Sequence, residues 1–129
     1  MKDSDTNKGK TAEHFLNHIL SLKGYRVIQM PQNYPYDLLV NGVVKIDVKY
    51  SNLYCGSTGN FYAFSLRKKY PTCDIYALIA DDKKSPKIYF VPAPEANQTQ
   101  ISIGEKNSIY SKWFERYDLI DKYTRAMLA

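Results

Sequence analysis

The stretch Pro35-Tyr36-Asp37-Leu38-Leu39-Val40-Asn41-Gly42-Val43-Val44-Lys45-Ile46-Asp47-Val48-Lys49-Tyr50-Ser51 holds two short apolar runs on either side of an Asn-Gly pair. That pair is a strong hairpin signal, because both residues tolerate the positive φ of a tight β-turn. Asp37 stands in the first run, and Asp47 and Lys49 in the second. Strand side chains alternate, so Lys45, Asp47 and Lys49 share one face while Val44, Ile46 and Val48 share the other. Taken singly, each charge suits a solvated strand face. Taken together, they sit among residues that are almost wholly apolar, as in a strand buried on both sides. Charges gathered there are costly unless they have a task. Two carboxylates suit magnesium, a hard cation that takes oxygen ligands and commonly shares them with a phosphate. The lysine would then stabilise charge on the phosphate or orient the attacking water.

The turn sets a geometric condition on that reading. If Asn41-Gly42 were the whole loop, Val40 would pair with Val43 and Asp37 would face Ile46. Directly opposed residues share a face, so Asp37 and Asp47 would point to opposite sides of the sheet. A shift of one residue repairs this by pairing Val40 with Val44. A three-residue Asn41-Gly42-Val43 loop or a bulge would supply it. A kinked strand start after Pro35, with Asp37 outside regular pairing, would serve as well.

Asp37 followed by Asp47-Val48-Lys49 resembles the PD-(D/E)xK nuclease superfamily, whose hairpin carries an Asp, then Asp or Glu, any residue, and Lys. Here Tyr36 separates Pro35 from Asp37, a departure at the least constrained letter of the motif. The likeness extends upstream. The family often opens with a helix of the form Gly, three residues, Glu and apolar residues, then Gly-Tyr and a strand. This chain has Gly9, Glu13, Phe15-Leu16 and Gly24-Tyr25 before Arg26-Val27-Ile28-Gln29-Met30. Downstream, Cys73-Asp74-Ile75-Tyr76, a hairpin, and Tyr89-Phe90-Val91-Pro92-Ala93 look like the small homing- and restriction-type branch.

The resemblance implies an α/β fold with a restriction endonuclease-like mixed central β-sheet, flanked by an N-terminal and a C-terminal helix. We expect these helices on opposite faces. It implies a metal-dependent DNA endonuclease that uses Mg²⁺, with Mn²⁺ able to substitute. Asp37 and Asp47 would be direct ligands, the Val48 carbonyl would complete the protein shell, and Glu13 would act through water. Lys49 would contact the scissile phosphate or the nucleophilic water. A non-catalytic nucleic-acid-binding or assembly module on the same fold is the alternative; the filled motif favours the enzyme.

The chain reads as one domain over residues 1–129, with residues 1–7 a polar leader and 105–129 a C-terminal helical segment. Ala12, Phe15, Leu16, Ile19 and Leu20 recur at three- and four-residue spacing, which predicts a helix from about Lys8 to Lys23, stopped by Gly24. Glu13 borders that stripe, whereas His14 and His18 lie away from it and read as exposed. Residues 52–60 read as a loop of small residues. Strands are expected at 61–66, 74–80 and 87–93, with an edge strand at 99–104. A helix is expected from about Ser108 to Leu128, broken near Tyr117 to Leu119, with Trp113 in the core.

A net charge of +5 favours a polyanionic partner, here DNA. Lys8 and Lys10 at the helix start, the basic run Arg67, Lys68 and Lys69, and Ser51 beyond Lys49 are candidate DNA contacts. The two cysteines, Cys55 and Cys73, have neither metal-ligand spacing nor the context of a nucleophile. No P-loop, dinucleotide fingerprint or zinc motif is present in the sequence. No apolar run is long enough to span a membrane, and no signal peptide is evident. A cytoplasmic or nucleoid-associated protein is expected. A duplex has two strands and a small domain has one site, so a homodimer or larger even homo-oligomer is the economical assembly.

Overall fold

The computed structural model describes residues 2–66, 71–82, 84–96, 98–105 and 108–129, with side chains from residue 9 onward. Arg67, Lys68 and Lys69, and the side chain of Lys8, lie outside the described residues.

Helix α1 spans Lys2–Leu22, so most of the expected polar leader is helical. Ala12, Leu16 and Leu20 are buried, and Phe15 and Ile19 pack beside them. The helix ends as its sequence requires. Gly24 takes φ 95°, a backbone that a side chain would strain. Tyr25 N–H donates to the Leu20 carbonyl at 3.1 Å and Gly24 N–H to that of Ser21 at 3.0 Å, which satisfies the last carbonyls of the helix.

The strands are β1 (Val27–Gln29), β2 (Leu38–Val40), β3 (Val44–Gly56), β4 (Gly59–Ser65), β5 (Ile75–Asp81), β6 (Lys87–Pro92) and β7 (Gln100–Gly104). They form one seven-stranded sheet in the order β1-β2-β3-β4-β7, with β5 joined to β3 and β6 joined to β5. The β3–β5 pair is parallel and every other pair is antiparallel. This is the mixed sheet that the sequence predicts. β5 is buried from Ile75 to Ala80, as expected of a continuous apolar run in a central strand.

β3 organises the molecule. Ile46–Asn52 pairs with β5, and Leu53–Gly56 pairs with β4. The expected loop at 52–60 is therefore a strand end, a tight Ser57-Thr58 turn and a returning strand. Gly56 pairs with Gly59 across that turn, and Gly59 takes φ 144°. Small residues marked a hairpin tip, not a long loop.

Two cores lie on the two faces of β3 and β5. One joins Leu16 and Leu20 of α1 to Leu38, Ile46, Ala77 and Phe90. The other joins Tyr62 and Phe64 of β4, and Ile101 and Ile103 of β7, to Leu78 and Val91. A second helix, α2 (Asp118–Leu128), buries Leu119 and Ile120 in the first core. Both helices thus cover the same face, against the expectation of opposite faces. The far face is already filled by β4 and β7. Polar ties hold α2 in place: Tyr25 Oη donates to Asp121 Oδ2 at 3.1 Å, and Asn41 Nδ2 donates to Thr124 Oγ1 at 3.1 Å.

The C-terminal helix is shorter than predicted. Ser111–Trp113 makes one 3-10 turn, Phe114 is extended, and Glu115 takes φ 51°. Glu115 N–H then donates to the Ile88 carbonyl at 2.9 Å, which ties the break to the outer edge of β6. Trp113 packs against both cores, in keeping with its expected role. No helix among the described residues is long and apolar enough to cross a membrane.

Candidate active site

The β2–β3 turn meets the geometric condition. Asn41 and Gly42 take φ 55° and 75°, the signs of a type I′ turn, and Val43 N–H donates to the Val40 carbonyl at 3.1 Å. Val43 is nevertheless an extra residue, and the ladder resumes with Val40 opposite Val44 and Leu38 opposite Ile46. The hairpin is shifted by the one residue that puts Asp37 and Asp47 on a common side.

Asp37 itself stands just outside the ladder. Its N–H donates to the Ile46 carbonyl at 3.0 Å, and its own carbonyl accepts from Met30 N–H at 2.8 Å. Its Oδ2 accepts the Val48 N–H at 2.7 Å, in the place where a strand partner would otherwise bond. The N–H and C=O of one strand residue leave on the same side. The Val48 carbonyl therefore also leaves on the Asp37 side. Both irregularities that would bring the acids together, the shifted turn and the strand start outside the ladder, occur at once.

The Asp37 and Asp47 carboxyl groups are in mutual hydrogen-bonding reach. Asp47 is buried, with 6% of its surface exposed. Lys49 Nζ approaches Asp47 Oδ2 at 3.4 Å. Desolvation pushes the Asp37 pKa up to about 8, and the hydrogen bond and negative charge of Asp47 push the same way. The Val48 N–H opposes this without reversing it. Asp37 is therefore protonated near neutrality in the metal-free protein.

Glu13 comes over the rim of the sheet from α1. Its Oε1 accepts from Gln29 Nε2 at 3.3 Å. Burial raises its pKa and the Asp47 charge adds to this, whereas Gln29, His14 and Lys10 lower it. An open cleft of about 380 Å³ is lined by Lys10, Glu13 and His14 of α1, by Gln32 to Tyr34 of the β1–β2 loop, and by Asp37. Asp47 and Lys49 are not among its lining residues.

These donors fit a hard divalent cation. Two carboxyl groups meet at Asp37 and the buried Asp47, and oxygen donors are what such an ion takes. Among the described residues, no three His, Cys, Asp or Glu side chains form a ready-made ion cage.

The remaining expected residues divide. Lys10 is exposed on the cleft wall. His14 and His18 are exposed, as predicted, but His14 also lines the cleft. Ser51 requires correction as a DNA contact. It is only 4% exposed, and its Oγ donates to the Asn52 carbonyl at 2.7 Å and accepts from Ala63 N–H at 3.0 Å. It joins β3 to β4 where the backbone ladder is interrupted. Gln29 was missed. The signal was an amide ending the apolar run Val27-Ile28 on the strand nearest to Glu13. Burial pushes the Cys73 thiol up to about 12, so it is no nucleophile.

No protein-family model and no curated protein matches the chain. Among solved structures, it is similar to the bacterial homing endonuclease I-Ssp6803I, with a TM-score of 0.75 at 17% identity and 94% of each chain covered. The mixed sheet with its N- and C-terminal helices thus has the fold of a homing endonuclease.

Proposed function

We propose that this protein is a metal-dependent DNA endonuclease that hydrolyses phosphodiester bonds at the Asp37–Asp47 pair. The observation that carries this reading is the apposition of two desolvated carboxyls beside a lysine, made by a one-residue shift in a hairpin. The likeness of fold to a homing endonuclease supports it. Magnesium, or manganese in its place, would be held by Asp37, Asp47 and the Val48 carbonyl, with Glu13 acting through water. When bound, it supplies an activated water and neutralises charge on the phosphate.

The chain's own residues do the rest. Asp47 fixes Lys49 Nζ, so the ammonium is positioned at the phosphate or the attacking water instead of ranging through solvent. Gln29 holds Glu13 beside the pair. Lys10 offers a cation to the DNA backbone at the cleft wall. Arg67, Lys68 and Lys69 would add phosphate contacts. A homodimer or larger even assembly would place one site on each strand.

The test is incubation of the protein with supercoiled plasmid, linear duplex and four-way junction, with magnesium or with EDTA. Asp47→Ala is run alongside. Magnesium-dependent cutting that the variant lacks is the expected result. DNA binding without cutting under any metal would identify a binding module instead.

A further inference from the structure

The loop between β1 and β2 has no role in the chemistry above, yet it is a built structure. Met30 N–H bonds to the Asp37 carbonyl at 2.8 Å and closes its neck. Within it, Tyr34 N–H donates to the Pro31 carbonyl at 3.1 Å, and Asn33 takes φ 72°. Pro31 and Pro35 fix two further φ angles. The Tyr34 and Tyr36 rings meet edge to face at 5.1 Å. Thr72 Oγ1 donates to the Pro35 carbonyl at 2.5 Å, which fastens the loop to the segment before β5. Gln32, Asn33 and Tyr34 remain exposed, and all three line the cleft that Asp37 also lines.

We propose that this loop reads base edges of duplex DNA next to the cut phosphate, with Gln32 and Asn33 as specificity-determining residues that favour adenine. This rests on the nuclease reading of the Asp37–Asp47 pair. Three observations carry it. The loop is continuous with the site, because Asp37 forms its neck and contributes the carboxyl. Lys10, a cation suited to phosphate, lines the same cleft as Gln32 and Asn33, so DNA seated there meets both.

The second observation is the chemistry of the wall. Residues 31–36 carry no charge, so any phosphate contact they make is a neutral hydrogen bond without a cation's attraction. Side-chain amides both donate and accept. Base edges do the same, and the paired acceptor and donor of adenine match an Asn or Gln amide. The third is rigidity. A loop closed at its neck and fastened at Pro35 loses little freedom on binding, so a single contact discriminates well.

The experiment is selection of a random duplex library by the full-length protein in EDTA, followed by magnesium-driven cleavage of the selected pool. Gln32→Ala and Asn33→Gly are compared with wild type; glycine keeps the positive φ available. Adenine enrichment at positions adjoining the cut, reduced on the order of 10-fold in either variant, is the expected result. Cleavage of adenine-bearing sites should fall further in the variants than cleavage of sites without it. An unbiased wild-type pool, or variants that keep the bias while losing rate on every sequence, would overturn the proposal and leave the nuclease reading standing. Enrichment without cleavage would defeat the nuclease reading and keep the base contact. Failure to bind any DNA defeats both.

Discussion

Val48 donates its backbone N–H to Asp37 Oδ2 at 2.7 Å, so the residue beside Asp47 on β3 holds the carboxyl that Asp47 repels. A backbone group of the central strand thus takes the place of a strand partner and secures an unfavourable pair of acids. The pair is stable as a fold feature and strained as an electrostatic one, a combination that recurs at functional sites.

Asp37→Asn and Asp37→Ala should therefore part company in stability. Asparagine keeps an oxygen for the Val48 N–H and removes the charge, so the metal-free protein should be at least as stable as wild type. Alanine leaves that N–H without its acceptor and should cost about 1–3 kcal/mol relative to asparagine. Both should lose cleavage by at least about 100-fold, since even outer-shell partners of a metal cost about 10–100-fold. Urea titrations in EDTA and plasmid nicking in magnesium measure the two effects. A fully active Asp37→Asn would remove the site.

The pH dependence follows from the same pair. Asp37 has an ordinary value of 3.8 and is pushed up to about 8 in the folded chain. The folded state therefore binds more protons than the unfolded state between these values. Its contribution to stability is fully present below pH 3.8 and is lost as pH rises toward 8. Metal-free protein should weaken from pH 5 to pH 8, and Asp37→Asn should show a shallower fall. Magnesium binding should release close to one proton and tighten with pH over the same range. Calorimetry in buffers of different ionisation enthalpy counts that proton. A metal affinity independent of pH between 6 and 8 would contradict the raised pKa of Asp37.

Lys49→Ala should reduce cleavage by roughly 10²–10⁴, the usual worth of a positioned proton-transfer or charge-stabilising group. DNA affinity should change little, because the ammonium already faces Asp47 and is not a free surface cation. Filter binding in calcium and single-turnover cleavage in magnesium separate the two. Equal losses in both would make Lys49 a mere anchor.

Salt dependence checks the basic residues. Each phosphate contact contributes a log-log slope of about −0.9 to duplex affinity. Lys10→Glu should reduce the slope by about one contact, and reversing Arg67, Lys68 and Lys69 to Glu should reduce it further. Anisotropy titrations across a salt series measure this. An unchanged slope in both variants would place the DNA elsewhere.

Much of the fold could be read from local pattern. The stripe of α1, the buried run of β5 and the shared face of Asp47 and Lys49 follow from periodicity and alternation, which act over short distances. What could not be read depends on which partner a segment finds. Nothing in the stripe of α2 says which face of the sheet is free, and β4 and β7 had already taken the far one. Ser51 alternates onto the same face as Lys49, but the turn into β4 buries it. Residues 52–60 hold strand and turn in a composition that resembles a loop. The apposition of Asp37 and Asp47 was more legible than the layers, because it is set within one hairpin.

That hairpin yields the last prediction. Val43 is the extra residue of the turn, and deleting it leaves Asn41-Gly42 as a regular two-residue loop between Val40 and Val44. Those residues already pair, so the deletion should leave the register of β2 and β3 unchanged and keep Asp37 beside Asp47. Cleavage should stay within about 10-fold of wild type, with a modest loss of stability from the packing of Val43 against the helix-side core. Gly42→Val, by contrast, forces a β-branched residue to φ 75°. It should cost about 1–2 kcal/mol or more and loosen the turn itself. Adding one residue within β3 between Val44 and Asp47 should abolish cleavage, because a one-residue slip turns Asp47 and Lys49 to the opposite face. Chemical denaturation and plasmid nicking distinguish the three. If the Val43 deletion folds but is inactive, or the β3 insertion folds and cuts, the register of this hairpin does not place the site.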